Sequence, residues 1–162
     1  MDEWLEKEAE GKSVLWYSLD CFVLIFLFVN LSIVILYLFN IHIPPVPAAK
    51  TLFAQPVNLV LVLAILIGAL VEEILFRFPL SILGLIGAGP QLTLLGACIL
   101  SGIFGWCHGG VSHVLIQGPF GFLLSMLYLK CGGYQGNVVK ALFTTTLVHA
   151  GFNLFLVIGT KL

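Results

Sequence analysis

The sequence predicts an all-α protein: a polytopic transmembrane helical bundle of about five spans with a polar site between the helices. Three observations carry that expectation. Of the 162 residues, 60% are apolar and only 9% charged, against about 45–50% and about 25% in an ordinary soluble domain. The apolar residues gather into runs of about twenty, the length a helix needs to cross about 30 Å of hydrocarbon. Three charged residues nonetheless stand inside one of these runs, and charge at membrane depth is costly unless protein or water receives it.

A soluble core of this size could not hide so much hydrocarbon, and the mean hydropathy of +1.11 shows that the excess is general. The solvent is therefore lipid. Net charge is −1, and the seven Lys and Arg are scattered singly, which excludes a polybasic face for nucleic acid. Cys21, Cys98, Cys107 and Cys131 show no CxxC spacing and lie in or beside apolar runs, where lone thiols behave as small hydrophobes.

Residues 1–13 hold five of the eight acidic residues together with Lys7 and Lys12. They read as a solvated amphipathic lead-in, without the cationic start and cleavage site of a signal peptide. The first span runs from Leu15 or Cys21 to Ile41 and is stopped by Pro44, Pro45 and Pro47. A loop with Lys50 follows. The second span covers Val57 to about Leu85, with Pro79 expected to kink or end it just after the charged cluster. Gly87-Ala88-Gly89-Pro90 is a turn, and Gln91 to His108 is the third span, broken by Gly109-Gly110. The fourth span runs from Val111 to Leu129 with a kink expected at Gly118-Pro119, and the fifth from Ala141 to Gly159. The bias of Lys and Arg to cytoplasmic loops puts the amino terminus inside, with Lys7, Lys12, Lys130 and Lys140, leaving Lys50 and Lys161 outside. Ala97, Ser101, Gly105 and Gly109 recur every four residues, a small-residue stripe that lets a neighbouring helix approach closely.

Between Thr51 and Leu129 the charged residues are Glu72, Glu73 and Arg77. Glu73 and Arg77 are four apart, with the acid amino-terminal, the favourable order for an intrahelical ion pair. Glu72 projects about 100° away and has no cation in its own span. Its candidate partners within the apolar runs are His108 at the end of span three and His149 with Asn153 in span five; the last two are four apart and share one helix face. A carboxylate beside an imidazole can deprotonate a water. A second imidazole and a carboxamide can stabilise the charge that develops on an attacked carbonyl oxygen. The set Glu72, His108, His149 and Asn153 thus suits hydrolysis of an amide or related acyl bond without a Ser or Cys nucleophile, with Glu73 and Arg77 as a structural pair. His113 is expected in a loop, and His42 and Cys107 are given no role.

Glu72-Glu73-x-x-x-Arg77, Phe104-x-x-x-His108 and His149-x-x-x-Asn153, in that order and within apolar helices, resemble the three motifs of the CPBP family of intramembrane proteases. These are the type II CAAX-prenyl endopeptidases and the bacteriocin-processing and self-immunity proteins. Gly118-x-x-Gly121 and Tyr128-x-Lys130 add to the likeness. The resemblance implies an intramembrane endopeptidase in which Glu72 and His108 activate water, His149 and Asn153 stabilise the oxyanion, and Glu73 and Arg77 support the site or the substrate. It divides the chain into residues 1–50, with the lead-in, first helix and loop, and a four-span catalytic core over residues 51–162. The implied partners are membrane lipid and a membrane-associated protein or leader peptide, prenylated CAAX-type proteins included, with a partner subunit or a second copy completing the cavity as a further expectation. The implied location is a prokaryotic cell membrane.

Metal-free hydrolysis is the reading taken. Glu72, His108 and His149 are the alternative zinc set, although no His-Glu-x-x-His helix is present. A second functional reading stays open, that of a non-catalytic bacteriocin self-immunity or scaffold protein using the same polar cluster for binding.

Overall fold

The computed structural model describes residues 14–41 and 58–159, with residues 54 and 56. The lead-in 1–13, His42, the proline stop at 44–47, Lys50 and Lys161 lie outside the described residues. The described chain forms helices α1 (Val14–Leu38), α2 (Leu59–Phe76), α3 (Phe78–Leu85), α4 (Pro90–Gly109), α5 (Val111–Lys130) and α6 (Val138–Gly159). Among the described residues there is no strand.

Four of these helices, α1, α4, α5 and α6, are long and apolar enough to cross a membrane. The remaining expected span is divided. Asn58 opens α2 with its side-chain oxygen accepting from the Leu61 amide at 3.0 Å, which satisfies one of the free donors of the first turn. The helix closes at Arg77, whose amide donates to the Glu73 carbonyl at 2.8 Å. The chain restarts as α3 with Pro79 in its first turn. Proline lacks an N–H and crowds the residue before it, so the interruption falls just upstream of the ring, directly after the charged cluster. Pro119, where a kink was expected, lies inside α5 without ending it. α6 begins at Val138, a turn earlier than the sequence suggested.

The closest helix pair is α4 on α5. Ala97, Ser101 and Gly105 of the small-residue stripe are buried, and a Cβ on Gly105 would stand 2.8 Å from the His113 carbonyl oxygen and the Val114 Cα. The fourth member of the stripe, Gly109, is exposed. Gly110 links the two helices at φ 80°, a conformation that glycine adopts without steric cost. α2 packs on α6, and α1 lies against α5 and α6. One core joins Ile25 of α1, Leu80 of α3, Phe104 of α4, Phe120, Leu124 and Tyr128 of α5, and Phe152 of α6.

Polar clamps fix α3 against the turn between α5 and α6. Ser81 donates to the Gly133 carbonyl at 2.5 Å, so the Tyr128 hydroxyl, 2.6 Å from the serine oxygen, is the donor in that second bond. Tyr134 donates to the Ala88 carbonyl at 2.6 Å. Donors and acceptors without water must pair within the protein. On the outside, Leu63, Ile67, Val71 and Leu75 form an exposed stripe along α2. Apolar stripes of this kind suit hydrocarbon, and the molecule is a multi-pass integral membrane protein.

Candidate active site

The site starts from a helical period. Leu61, Ile65, Ala69, Glu73 and Arg77 recur every four residues along α2 and are all buried, so the acid and the arginine continue the apolar stripe into the bundle. Glu72, about 100° round the helix, comes to the border of that face and keeps 33% of its side chain exposed.

Three helices bring their polar groups to this border. The Oε2 atom of Glu72 is 3.7 Å from Nε2 of His108 on α4 and 3.5 Å from Nε2 of His149 on α6. That oxygen is itself buried and makes no hydrogen bond. The other nitrogen of each ring is held. His108 Nδ1 donates to the Phe104 carbonyl at 2.7 Å; a carbonyl oxygen only accepts, so the proton lies on Nδ1 and a neutral His108 turns a lone pair at Nε2 toward Glu72. His149 Nδ1 lies 2.9 Å from Glu73 Oε1, and its ring is boxed by the edges of Phe104 at 5.9 Å and Phe120 at 5.0 Å between centroids.

The expected Glu73–Arg77 pair forms, with 3.6 Å between Nε and Oε2. It is not the closest contact of that carboxylate, which is His149. The sequence assigned His149 to Glu72 alone, whereas the folded chain sets the ring between both acids. Arg77 is fully buried, its guanidinium nitrogens form no hydrogen bond, and its guanidinium carbon stands 5.1 Å from the centre of the Phe104 ring. Its compensation is therefore the adjacent carboxylate and the ring face.

Of the sequence-predicted residues, Glu72, Glu73, Arg77, His108 and His149 are brought together. Asn153 lies one turn beyond His149 on α6, half-buried, and among the described residues its carboxamide makes no hydrogen bond. His113 is not in a loop: it occupies the first turn of α5, 4% exposed, because Gly110 lets α5 begin immediately after α4. Sequence reasoning passed over the supporting role of Gly121. A Cβ there would lie 3.0 Å from Phe104 Cδ1 and 3.3 Å from Arg77 Nη2, so the missing side chain leaves room for both. The Gly118-x-x-Gly121 spacing was its available signal, but the guanidinium that needs the space comes from another helix.

Glu72 approaches two imidazole nitrogens, but among the described residues no group of three His, Cys, Asp or Glu side chains is arranged to hold a metal ion. What the arrangement offers chemically is an unpaired carboxylate oxygen between two imidazoles, one held by a backbone carbonyl and the other by a second acid.

A helical bundle with buried polar groups converging from three helices is the class of molecule that fold and site define. The family model described as Type II CAAX prenyl endopeptidase Rce1-like matches residues 54–155, more than half of the chain, from α2 to the last turn but one of α6. The chain belongs to this family of membrane proteases. It is also 27% identical over 154 residues to a Bacillus subtilis (strain 168) protein described as "Putative membrane peptidase YdiL", covering 94% of this chain and 59% of that protein. The chain thus spans less than two thirds of the length of this relative. No solved structure gives a significant match.

Proposed function

We propose that this protein is an intramembrane endopeptidase that hydrolyses a peptide bond of a membrane-associated protein or leader peptide, with Glu72 as general base. The observation that carries the reading is the position of Glu72 Oε2, buried and without a hydrogen bond between the Nε2 atoms of His108 and His149. Family membership supports it. Partial exposure of Glu72 and His108, at 33% and 21%, gives water and substrate a way in, while Glu73 and Arg77 behind them are closed.

In this mechanism a water donates one hydrogen to Glu72 and the other to the lone pair of His108 Nε2. Its oxygen attacks the scissile carbonyl carbon as Glu72 takes the proton. His149, held through Nδ1 by Glu73, turns Nε2 toward the oxygen that becomes negative. The Asn153 carboxamide, one turn away, turns in as a second donor. Glu72 then passes its proton to the leaving nitrogen, the carbon–nitrogen bond breaks, and a carboxylic acid and an amine result. No step passes through a metal.

Substrates are drawn from the family class: prenylated proteins of the CAAX type or leader peptides presented at the lipid surface. The four-span core over residues 51–162 supplies the residues of this mechanism. The test is hydrolysis of lipidated and unlipidated peptides by purified protein in lipid. Glu72→Gln, which keeps size and removes the base, is expected to lower turnover by about 10²–10⁴-fold with unchanged thermal unfolding. Full activity in Glu72→Gln rejects the mechanism. An inert wild-type protein whose cells are nevertheless protected from a bacteriocin would favour the binding reading.

A further inference from the structure

The groups gathered around Glu72 come from α2, α4 and α6, and α1 precedes residues 54–155, the part of the chain that the family model matches. A row of aromatic rings nevertheless joins α1 to His149. Phe22 of α1 stands edge-on to Phe152 of α6, with 6.0 Å between ring centres. Phe152 lies 5.2 Å from Phe120 of α5, their planes tilted by 34°. Phe120 in turn meets the His149 imidazole at 5.0 Å and 77°. Each step falls within the range over which aromatic rings attract one another. Phe120 and Phe152 are buried, and Phe22 packs half-buried against the same core. Beside them the Cys21 thiol reaches the Leu123 carbonyl at 3.7 Å, which docks α1 on α5 next to Phe120.

The row acts on the one freedom that Glu73 leaves to His149. A hydrogen bond at Nδ1 fixes that nitrogen, but the ring can still swing about the line of the bond and carry Nε2 away from Glu72. Phe104, Phe120 and His149 form a triangle, with 6.0 Å between the two phenyl centres and 5.9 Å and 5.0 Å from them to the imidazole. The imidazole plane stands at 75° and 77° to the two phenyl planes. In so close a set, a swing of the imidazole drives it into one ring or the other. It is blocked only while those rings hold their places. Phe104 is held by Phe76, 5.2 Å away and nearly perpendicular. Phe120 has Phe152 behind it, and Phe152 has Phe22.

We propose that Phe120 is the positioning residue of His149, and that Phe22, acting through Phe152, is the buttress that α1 provides for it. The inference rests on the reading of His149 as the group turned toward the oxygen that becomes negative. It gives the helix outside the family match a task in the chemistry: without the row, Nε2 still lies near Glu72 but is no longer aimed.

The test uses the full chain in lipid and two separate readouts, hydrolysis of a farnesylated peptide and solid-state NMR of nitrogen-labelled histidine. The His149 signals are identified by their loss in His149→Gln. In the wild type they are expected to be sharp, and in Phe120→Leu and Phe22→Leu to broaden or split as the ring takes several orientations. Both leucine variants are expected to lower kcat about tenfold or more, with little change in KM. Phe22→Tyr keeps the ring, at a position open enough for a hydroxyl, and is expected to retain the wild-type rate and signals. Ile25→Ala removes a fully buried side chain from the same helix that is not part of the row; it is expected to lower the unfolding temperature and leave kcat and the signals unchanged. His149 signals unaltered in both leucine variants, or a loss of kcat in Ile25→Ala equal to that in Phe22→Leu, would overturn the proposal. A wild-type protein that does not cleave the peptide would count against the peptidase reading, while the signals of the leucine variants would still decide whether the row aims the ring.

Discussion

His149 Nδ1 lies 2.9 Å from Glu73 Oε1, and this contact ties the closed half of the cluster to the open half. Glu73 and Arg77 are fully buried, whereas Glu72, on the other side of the ring, is one-third exposed. The imidazole therefore passes the geometry of a buried ion pair to a carboxylate that solvent can reach. A ring fixed at one nitrogen presents the other in a defined direction, the arrangement by which an outer carboxylate orients a working histidine.

The buried pair is expected to act as a unit. Glu73→Gln leaves the Arg77 guanidinium without its counter-charge, a loss of about 3–5 kcal/mol for a broken buried pair. Glu73→Gln with Arg77→Met removes both charges, and its thermal midpoint is expected to lie above that of Glu73→Gln alone. Unfolding of the variants followed by tryptophan fluorescence checks this, and strict additivity of the two substitutions would count against a coupled pair.

Gly121→Ala places a methyl group 3.0 Å from Phe104 and 3.3 Å from Arg77. Overpacking at such a site costs about 1–3 kcal/mol. Because both neighbours adjoin the imidazoles, turnover is expected to fall along with stability. A Gly121→Ala protein that unfolds at the wild-type temperature would show that the guanidinium has slack around it.

Asn153 separates a transition-state role from a structural one. It makes no hydrogen bond among the described residues, so Asn153→Ala is expected to leave the unfolding temperature unchanged. As an oxyanion donor it would still lower kcat by about 10²–10³-fold, with little change in KM. An unchanged kcat would leave His149 as the sole side-chain donor in the mechanism.

Metal removal gives a fourth expectation. With water activated by Glu72 and His108, peptide hydrolysis is expected to persist after exhaustive dialysis against a chelator. Loss of activity that returns on adding zinc would overturn the metal-free mechanism.

The residues themselves made the membrane bundle legible, because runs of about twenty apolar residues have few other stable fates. The same holds for the Glu73–Arg77 pair, which depends only on a helical period, and for the close approach of α4 and α5 through Gly105. The position of the break after Arg77 was readable to within two residues from Pro79. His113 was misjudged because the two glycines before it suggest a loop, while in the folded chain they make a single sharp link between helices.

The sequence by itself determined that lipid is the solvent, where the helices run, and that Glu72 needs a partner beyond its own span. Only tertiary structure decided that His149 stands between two acids, that Gly121 clears space for an arginine from another helix, and that Asn153 is left without a bond. The physical reason is distance along the chain. Periodicity reports the faces within one helix, whereas contacts between α2, α4 and α6 depend on how side-chain volumes from all of them settle in a single close-packed interior.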